Sequence, residues 1–318
     1  MSFTNTTTVP VSLKQTRQTI DVNAIVKNHA ATMGAAITED RQRSMRDRKV
    51  YAALIRKMFA EERSRFGLGN GSYPLTSTFD PLKGKDSSSN AKIGKNELAT
   101  VSLTLQSATV ATVLDGFNVY TLNTCTSAGL CTALCVLKHG KGSLPAVIRA
   151  RDWRTWLLVR YPELFAVLLA YELDTASATY GEFLARLNVN SDILWHLVPE
   201  LFASNGMRAY DYTTHVEVLA TADGWVLPNY RLVYSMNERT DDHAARLFLE
   251  RGGIVAMVTN RRKTQAAHAW TVIAGTAFPV EDGDLTDDRY ATSRGHVVDL
   301  FAKGKARGRV TKFVRSVY

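Results

Sequence analysis

Three cysteines carry the first chemical suggestion in this sequence. Cys125, Cys131 and Cys135 fall within eleven residues as C-x5-C-x3-C, and the remainder of the 318-residue chain has none. An odd number in so short a span makes a poor disulfide framework. Thiolates converging on a metal account for the cluster better. On a helix starting near residue 130, Cys131, Cys135 and His139 would lie one turn apart on one face, with Cys125 folding back from the preceding loop. Three thiolates would hold three irons of a 4Fe-4S cluster and leave the fourth iron open. Three thiolates and His139 would instead close a tetrahedral zinc site. Without a metal, the three are simply small buried apolar residues.

A second constellation is polar. In ARLNVNSD, residues 185–192, strand alternation puts Arg186 and Asn188 on one face, with Asn190 and Asp192 following at its end. A buried arginine needs an anion or a carboxylate, and Asp192 and Asp211 are the candidate partners. Asp192 also suits the N-cap of a helix beginning at Ile193. Later apolar runs end in comparable groups: YDYT supplies Asp211 and Tyr212, and SMNE supplies Ser235, Asn237 and Glu238. Asp192, Asp211 and Glu238 are therefore the candidate catalytic carboxylates. Arg186, Asn188, Asn190, Tyr212, Ser235 and Asn237 are the candidate substrate contacts.

The elements that must position these residues alternate. Apolar β patterns occupy residues 101–105, 109–114, 117–122, 183–189, 207–212, 230–235, 254–259, 270–274 and 296–301. Helical patterns occupy 144–160, 162–173, 193–202 and 241–251, with Pro162 in a first turn and Gly252-Gly253 at an end. Such alternation predicts an α/β protein with right-handed crossovers: a complete or partial parallel (β/α) barrel whose strand-end loops build the site. Neither G-x-G-x-x-G nor G-x-x-x-x-G-K-[ST] appears, which removes the usual support for an open nucleotide-binding sheet. The first 45 residues read as an arm or weak helix, 48–66 as an amphipathic helix, and 67–98 as a Gly/Ser/Asn-rich linker. The expected division is residues 1–98 for arm, helix and linker, 99–302 for the barrel, and 303–318 for a basic tail.

Charge points to a partner. Lys and Arg number 39 against 30 for Asp and Glu, a net +9. Residues 302–318 contain Lys303, Lys305, Arg307, Arg309, Lys312 and Arg315 with no acid, a pattern suited to phosphate backbones. The acidic run 282–288 reads as a solvated loop bridged to Arg289. With 45% hydrophobic residues, no long uninterrupted apolar run and a polar N-terminus, the expectation is an intracellular protein with no membrane partner. Oligomeric state is not legible.

The segments TCTSAGLCTALCVLKHGKG, RLNVNSD, YDYT, NYRLVYSMNE and DGDLTDDR…VVDLFAKGKA, in this order, resemble a family of tailed-phage and phage-like element proteins of unassigned role. The resemblance covers residues 117–310 and implies a small barrel with three cysteines after its first strand, acting in the host cytoplasm. That placement is similar to radical-SAM enzymes, which implies a cluster on Cys125, Cys131 and Cys135 and use of S-adenosylmethionine. The spacing departs from the common C-x3-C-x2-C, and no Gly-Gly-Glu segment follows a second strand. A looser resemblance is to phage transglycosylases that insert deazaguanines into DNA through paired Asp residues, although their Asp-Ser-Gly segment is absent. The expected functions are thus an iron–sulfur enzyme modifying DNA, a redox-free transglycosylase with Asp192 or Asp211 as nucleophile, or a metal-stapled DNA-binding accessory protein.

Overall fold

The computed structural model describes residues 17–63, 66–68, 74–83, 93–108, 111–115, 118–138, 140–262 and 264–316. Strand β1 (Arg17–Asp21) runs directly into helix α1 (Val22–Arg41), because the Asp21 carboxylate accepts from the amides of Asn23 and Ala24 at 2.8 and 3.2 Å. Val22, Val26, Met33 and Ile37 share the buried face of α1. This 20-residue helix replaces the arm or weak helix expected there. Helix α2 (Met45–Arg63) follows with Ala52, Ile55 and Phe59 inward.

The chain continues through β2 (Thr76–Phe79), β3 (Thr100–Leu103), β4 (Ala111–Asp115), β5 (Asn118–Asn123) and the single turn α3 (Cys131–Leu134). Helices α4 (Pro145–Arg160) and α5 (Pro162–Tyr180) each open on a proline, whose missing N–H costs nothing in a first turn. Residues Phe165 to Leu169 of α5 are all buried, since α1, α2 and α4 pack around this helix. Then come β6 (Phe183–Arg186), β7 (Met207–Thr213), β8 (Trp225–Leu227), β9 (Tyr230–Ser235), α6 (Asp242–Glu250), β10 (Val255–Thr259), β11 (Trp270–Ile273), β12 (Thr276–Asp282), β13 (Val297–Phe301) and β14 (Val314–Arg315).

Two sheets form. The smaller has the order β1-β5-β4. The larger has eleven strands, with the path β11-β12-β13-β10-β9-β7-β6-β3-β2 and with β14 and β8 beside β10 and β9. Its centre is parallel, but β2–β3, β8–β9 and β11–β12 are antiparallel, and among the described residues β2 and β11 do not pair with each other.

The expected parallel (β/α) barrel is therefore replaced by an open, mixed sheet. Helical crossovers are too few for the predicted pattern. The helix expected over 193–202 is two 3-10 turns, Trp195–Leu197 and Pro199–Phe202, because Pro199 lacks the N–H a continuous helix would use and its ring crowds the preceding turn. Turn Val216–Ala220 and β8 connect β7 to β9, and the β11–β12 hairpin occupies the connection from β10 to β13. No described helix is long and apolar enough to cross a membrane.

Candidate functional site: a cysteine-walled cavity

A cavity of about 470 Å³ opens where β6, β7, β9 and β13 end. The loop after β5 makes one wall, and all three cysteines line it. Thr124, fully buried, donates its hydroxyl to the Gln106 carbonyl, and the Cys125 amide donates to Asn123 Oδ1 at 3.0 Å. Cys125 Sγ reaches the Asn190 carbonyl at 3.8 Å, joining this wall to the loop after β6. Gly129 makes the turn into α3 with φ +52°, and Glu238 Oε1 accepts from the next amide, Leu130, at 2.9 Å. A Cβ on Gly129 would collide with that same carboxylate.

Burial and the nearby Asp192 push the Cys125 thiol up to about 12. Burial, then the neighbouring Cys135, Asp192 and Glu238, push Cys131 up to about 12 as well. Both are neutral thiols at ordinary pH. Among the described residues, no three His, Cys, Asp or Glu side chains form a group able to hold a metal, and His139 lies outside them. The thiols share a wall but do not stand as the ligand set their spacing predicts.

The loop after β6 makes the facing wall. Asn188 folds it: Oδ1 accepts from Ser191 Oγ at 2.8 Å and from the Ile193 amide at 3.0 Å, while Nδ2 donates to the Ile193 carbonyl at 2.8 Å. Asp211 anchors its base from behind, accepting from the amides of Leu187 and Asn188 at 3.3 and 2.7 Å and from Tyr230 Oη at 2.9 Å. Complete burial pushes Asp211 up to about 7 against those hydrogen bonds. It does not line the cavity.

Asp192 does line it. No helix begins at Ile193 for it to cap. Instead Oδ2 accepts from the amide and hydroxyl of Thr214, at 2.8 and 2.6 Å. Among the described residues its buried Oδ1 accepts no hydrogen bond, and His215 Nε2 lies 3.9 Å from it. His215 Nε2 lies 3.2 Å from the Asp192 carbonyl, and His215 Nδ1 lies 3.3 Å from Ser127 Oγ, linking the two walls.

Neither expected acid pairs with Arg186. Its guanidinium meets Asp287, 101 residues away, and lies 5.0 Å from the Tyr212 ring centroid. Among the described residues the buried Tyr212 hydroxyl has no hydrogen-bond partner, and burial raises its pKa to about 12. The acidic run is therefore not a solvated loop. Asp287 pairs with Arg186, Asp282 and Asp284 with Arg261, while Arg289 donates to the carbonyls of Gly283 and Thr286.

Asn188, Asn190, Tyr212 and Ser235 join the cavity as expected from their strand-end positions. Asn237 and Glu238 stand outside its lining and shape the loops around it, Asn237 by accepting the Arg239 amide at 2.8 Å and donating to the Ser127 carbonyl at 3.4 Å. Of the tail cations, Lys303 reaches the cavity and pairs with Asp284 at 3.0 Å, whereas Arg315 is held by Asp242. Lys305, Arg307, Arg309 and Lys312 are exposed. Sequence reasoning missed Gly129, Thr214, His215 and Phe313. Thr214 and His215 directly follow YDYT and carried a signal, while Phe313 reaches the lining only because β14 pairs with β10.

A family model described as Gene product 88 matches residues 82–316, nearly three quarters of the chain and all of the cavity lining. No curated protein matches, and no solved structure matches.

Proposed function

Since the chain belongs to the Gene product 88 family, a phage family, we propose that it is an enzyme modifying a base of DNA, with the cysteine-walled cavity as its reaction site and Asp192 as its working carboxylate. The buried Oδ1 of Asp192, which accepts no hydrogen bond among the described residues and lies 3.9 Å from His215 Nε2, carries this reading. A buried acceptor left unsatisfied costs about 1–3 kcal/mol, which a ligand offering an N–H or an electrophilic carbon recovers.

The cavity suits a nucleobase. Its 470 Å³ falls within the range of ~300–1,000 Å³ typical of small-ligand sites. Ala128, Leu134, Val189 and Val258 give it apolar walls, and Asn190, Asp192, Tyr212 and Ser235 supply a few polar groups. A base must leave a duplex to enter such a site. The cations after β13 favour the accompanying polyanion.

The chemistry matching one free carboxylate is base exchange. Asp192 Oδ1 forms a bond to the sugar C1′ as the resident base departs with the glycosidic electron pair. An incoming free base of the deazaguanine class then displaces Asp192 and restores the glycosidic bond, its ring N–H proton going to solvent as the departed base takes one up. Incubating guanine-containing single-stranded oligodeoxynucleotide with free base tests this reading. Turnover by the wild type, lost in a folded Asp192→Asn protein, supports it; equal turnover by both contradicts it.

The thiols support a second reading, in which Cys125, Cys131 and Cys135 hold zinc or a 4Fe-4S cluster. That centre would require the loop to draw the sulfurs together and release their protons. S-adenosylmethionine use depends on that cluster. Zinc, iron and acid-labile sulfide content of anaerobically prepared protein decides between the two readings.

A further inference from the structure

We infer that a second cavity, beside the first, is a phosphodiester subsite for the same single-stranded DNA, with Arg262 and Arg307 as its anion contacts. The inference rests on the nucleic-acid reading above and adds where the backbone of the strand is held.

This cavity measures about 420 Å³ and is lined by Asn260, Arg261, Arg262, Thr264, Phe301 and Arg307, among others. Phe301 lines both cavities. The chain after β13 forms their common wall: Lys303 and Ala306 face the first, Ala302, Arg307 and Gly308 the second. A 3-10 turn at Gly304–Ala306 produces this change of side, entered at Gly304 with φ +56° and left toward Gly308 with φ +70°. In this proposal a nucleotide with its base in the first cavity places its backbone against the second, across the wall segment the two share.

The arginines lining the second cavity have different tasks. Arg261 is a strut: Nε donates to Asp299 at 2.8 Å, Nη2 to Asp282 at 2.9 Å, and Nη1 to the Gln265 carbonyl at 2.6 Å. Its charge is already answered. The Arg262 amide donates to Gln265 Oε1 at 2.8 Å, which fixes the loop while the side chain stays exposed. Among the described residues, neither the Arg262 nor the Arg307 guanidinium has an acidic partner, in contrast to Lys303 and Arg315. Two unneutralised guanidiniums on one concave surface match a phosphate group, which accepts paired N–H bonds from each.

The test is a titration of full-length protein with a fluorescent single-stranded oligodeoxynucleotide over a range of KCl concentrations. Loss of this one phosphate contact should reduce the log–log salt slope by about 0.7 in an Arg262→Ala/Arg307→Ala variant, with weaker binding at low salt. Arg262→Lys/Arg307→Lys should keep the slope but bind less tightly, because lysine lacks the fork. Lys49→Ala/Lys57→Ala, which removes the same charge from exposed positions on α2, should change neither.

A wild-type slope and affinity in the Arg262→Ala/Arg307→Ala variant would overturn the subsite while leaving the base cavity standing. An equal loss in the α2 variant would overturn it by reducing the effect to overall charge. Inorganic phosphate binding that the variant loses, with oligonucleotide binding untouched, would make this a free-phosphate site and overturn the DNA assignment. A wild type that binds no oligonucleotide overturns the function reading and this one together.

Discussion

Asp192 divides its two oxygens: Oδ2 accepts from both the amide and the hydroxyl of Thr214, at 2.8 and 2.6 Å, while Oδ1 accepts no hydrogen bond among the described residues and lies 3.9 Å from His215 Nε2. This division fixes the carboxylate's rotation without consuming its acceptor capacity. Thr214→Val should remove one of the two bonds and cost about 1–2 kcal/mol of stability. Asp192 would then turn more freely, so ligand affinity should fall as well. Urea denaturation paired with ligand titration measures both effects, and a loss confined to stability would deny Thr214 its orienting role.

The thiols give a kinetic prediction. With Cys125 and Cys131 pushed up to about 12, only about one molecule in 10⁴ carries either thiolate at pH 8. Iodoacetamide should modify both far more slowly than an exposed peptide cysteine, with rates rising through the alkaline range. Rapid labelling of Cys125 at pH 7 would contradict its half-buried, acid-flanked placement.

A side chain at Gly129 should destabilise the fold. Its φ of +52° and its contact with the Glu238 carboxylate mean that Gly129→Ala adds both backbone strain and a clash. A loss of about 1–3 kcal/mol is expected, with the turn into α3 displaced. Thermal melting gives the stability, and faster alkylation of Cys131 reports the loop movement. Gly181, also at positive φ but with open space around it, provides a comparison carrying strain alone.

Asp211 makes stability depend on pH. Burial raises its pKa from 3.8 to about 7, so the folded protein retains a proton that the unfolded chain releases. The stabilisation is complete below about pH 4 and is lost as pH rises through about 7. Asp152, raised by burial to about 6, acts in the same direction. The stability difference between wild type and Asp211→Asn should therefore shift against the wild type between pH 5 and pH 8, and a pH-independent difference in urea midpoints would contradict the assignment.

The cavity was legible in the sequence wherever its residues follow a strand. Cys125, Asn190 and Asp192 each sit just past an apolar β pattern and Ser235 ends one, so their strand-end positions are legible, although the barrel expected to gather them is not the fold that does so. What escaped was long-range pairing. Nothing near Arg186 indicates that its partner is Asp287 rather than Asp192 or Asp211, because both members read locally as belonging elsewhere. Helix α1 was obscured by Thr, Asn and Ala around a narrow apolar stripe, and its stability comes from packing on α5. Strand β12 was obscured by Pro279, tolerated opposite Trp270 in an edge hairpin. The barrel expectation fails because Pro199 breaks the helical periodicity of 193–202 and because a 3-10 turn and a hairpin stand where a barrel needs helical crossovers.

The central claim is that a DNA base enters the cysteine-walled cavity, and photocrosslinking tests it most directly. A single-stranded oligodeoxynucleotide carrying one photoreactive base is irradiated with the protein, and the attached peptide is identified by mass spectrometry. The account predicts attachment within residues 125–137 or 188–192, reduced by Asp192→Asn. Attachment only within residues 307–312, which stand outside the cavity lining, unchanged by Asp192→Asn, would contradict it and leave a basic segment that binds DNA without presenting a base to the cavity.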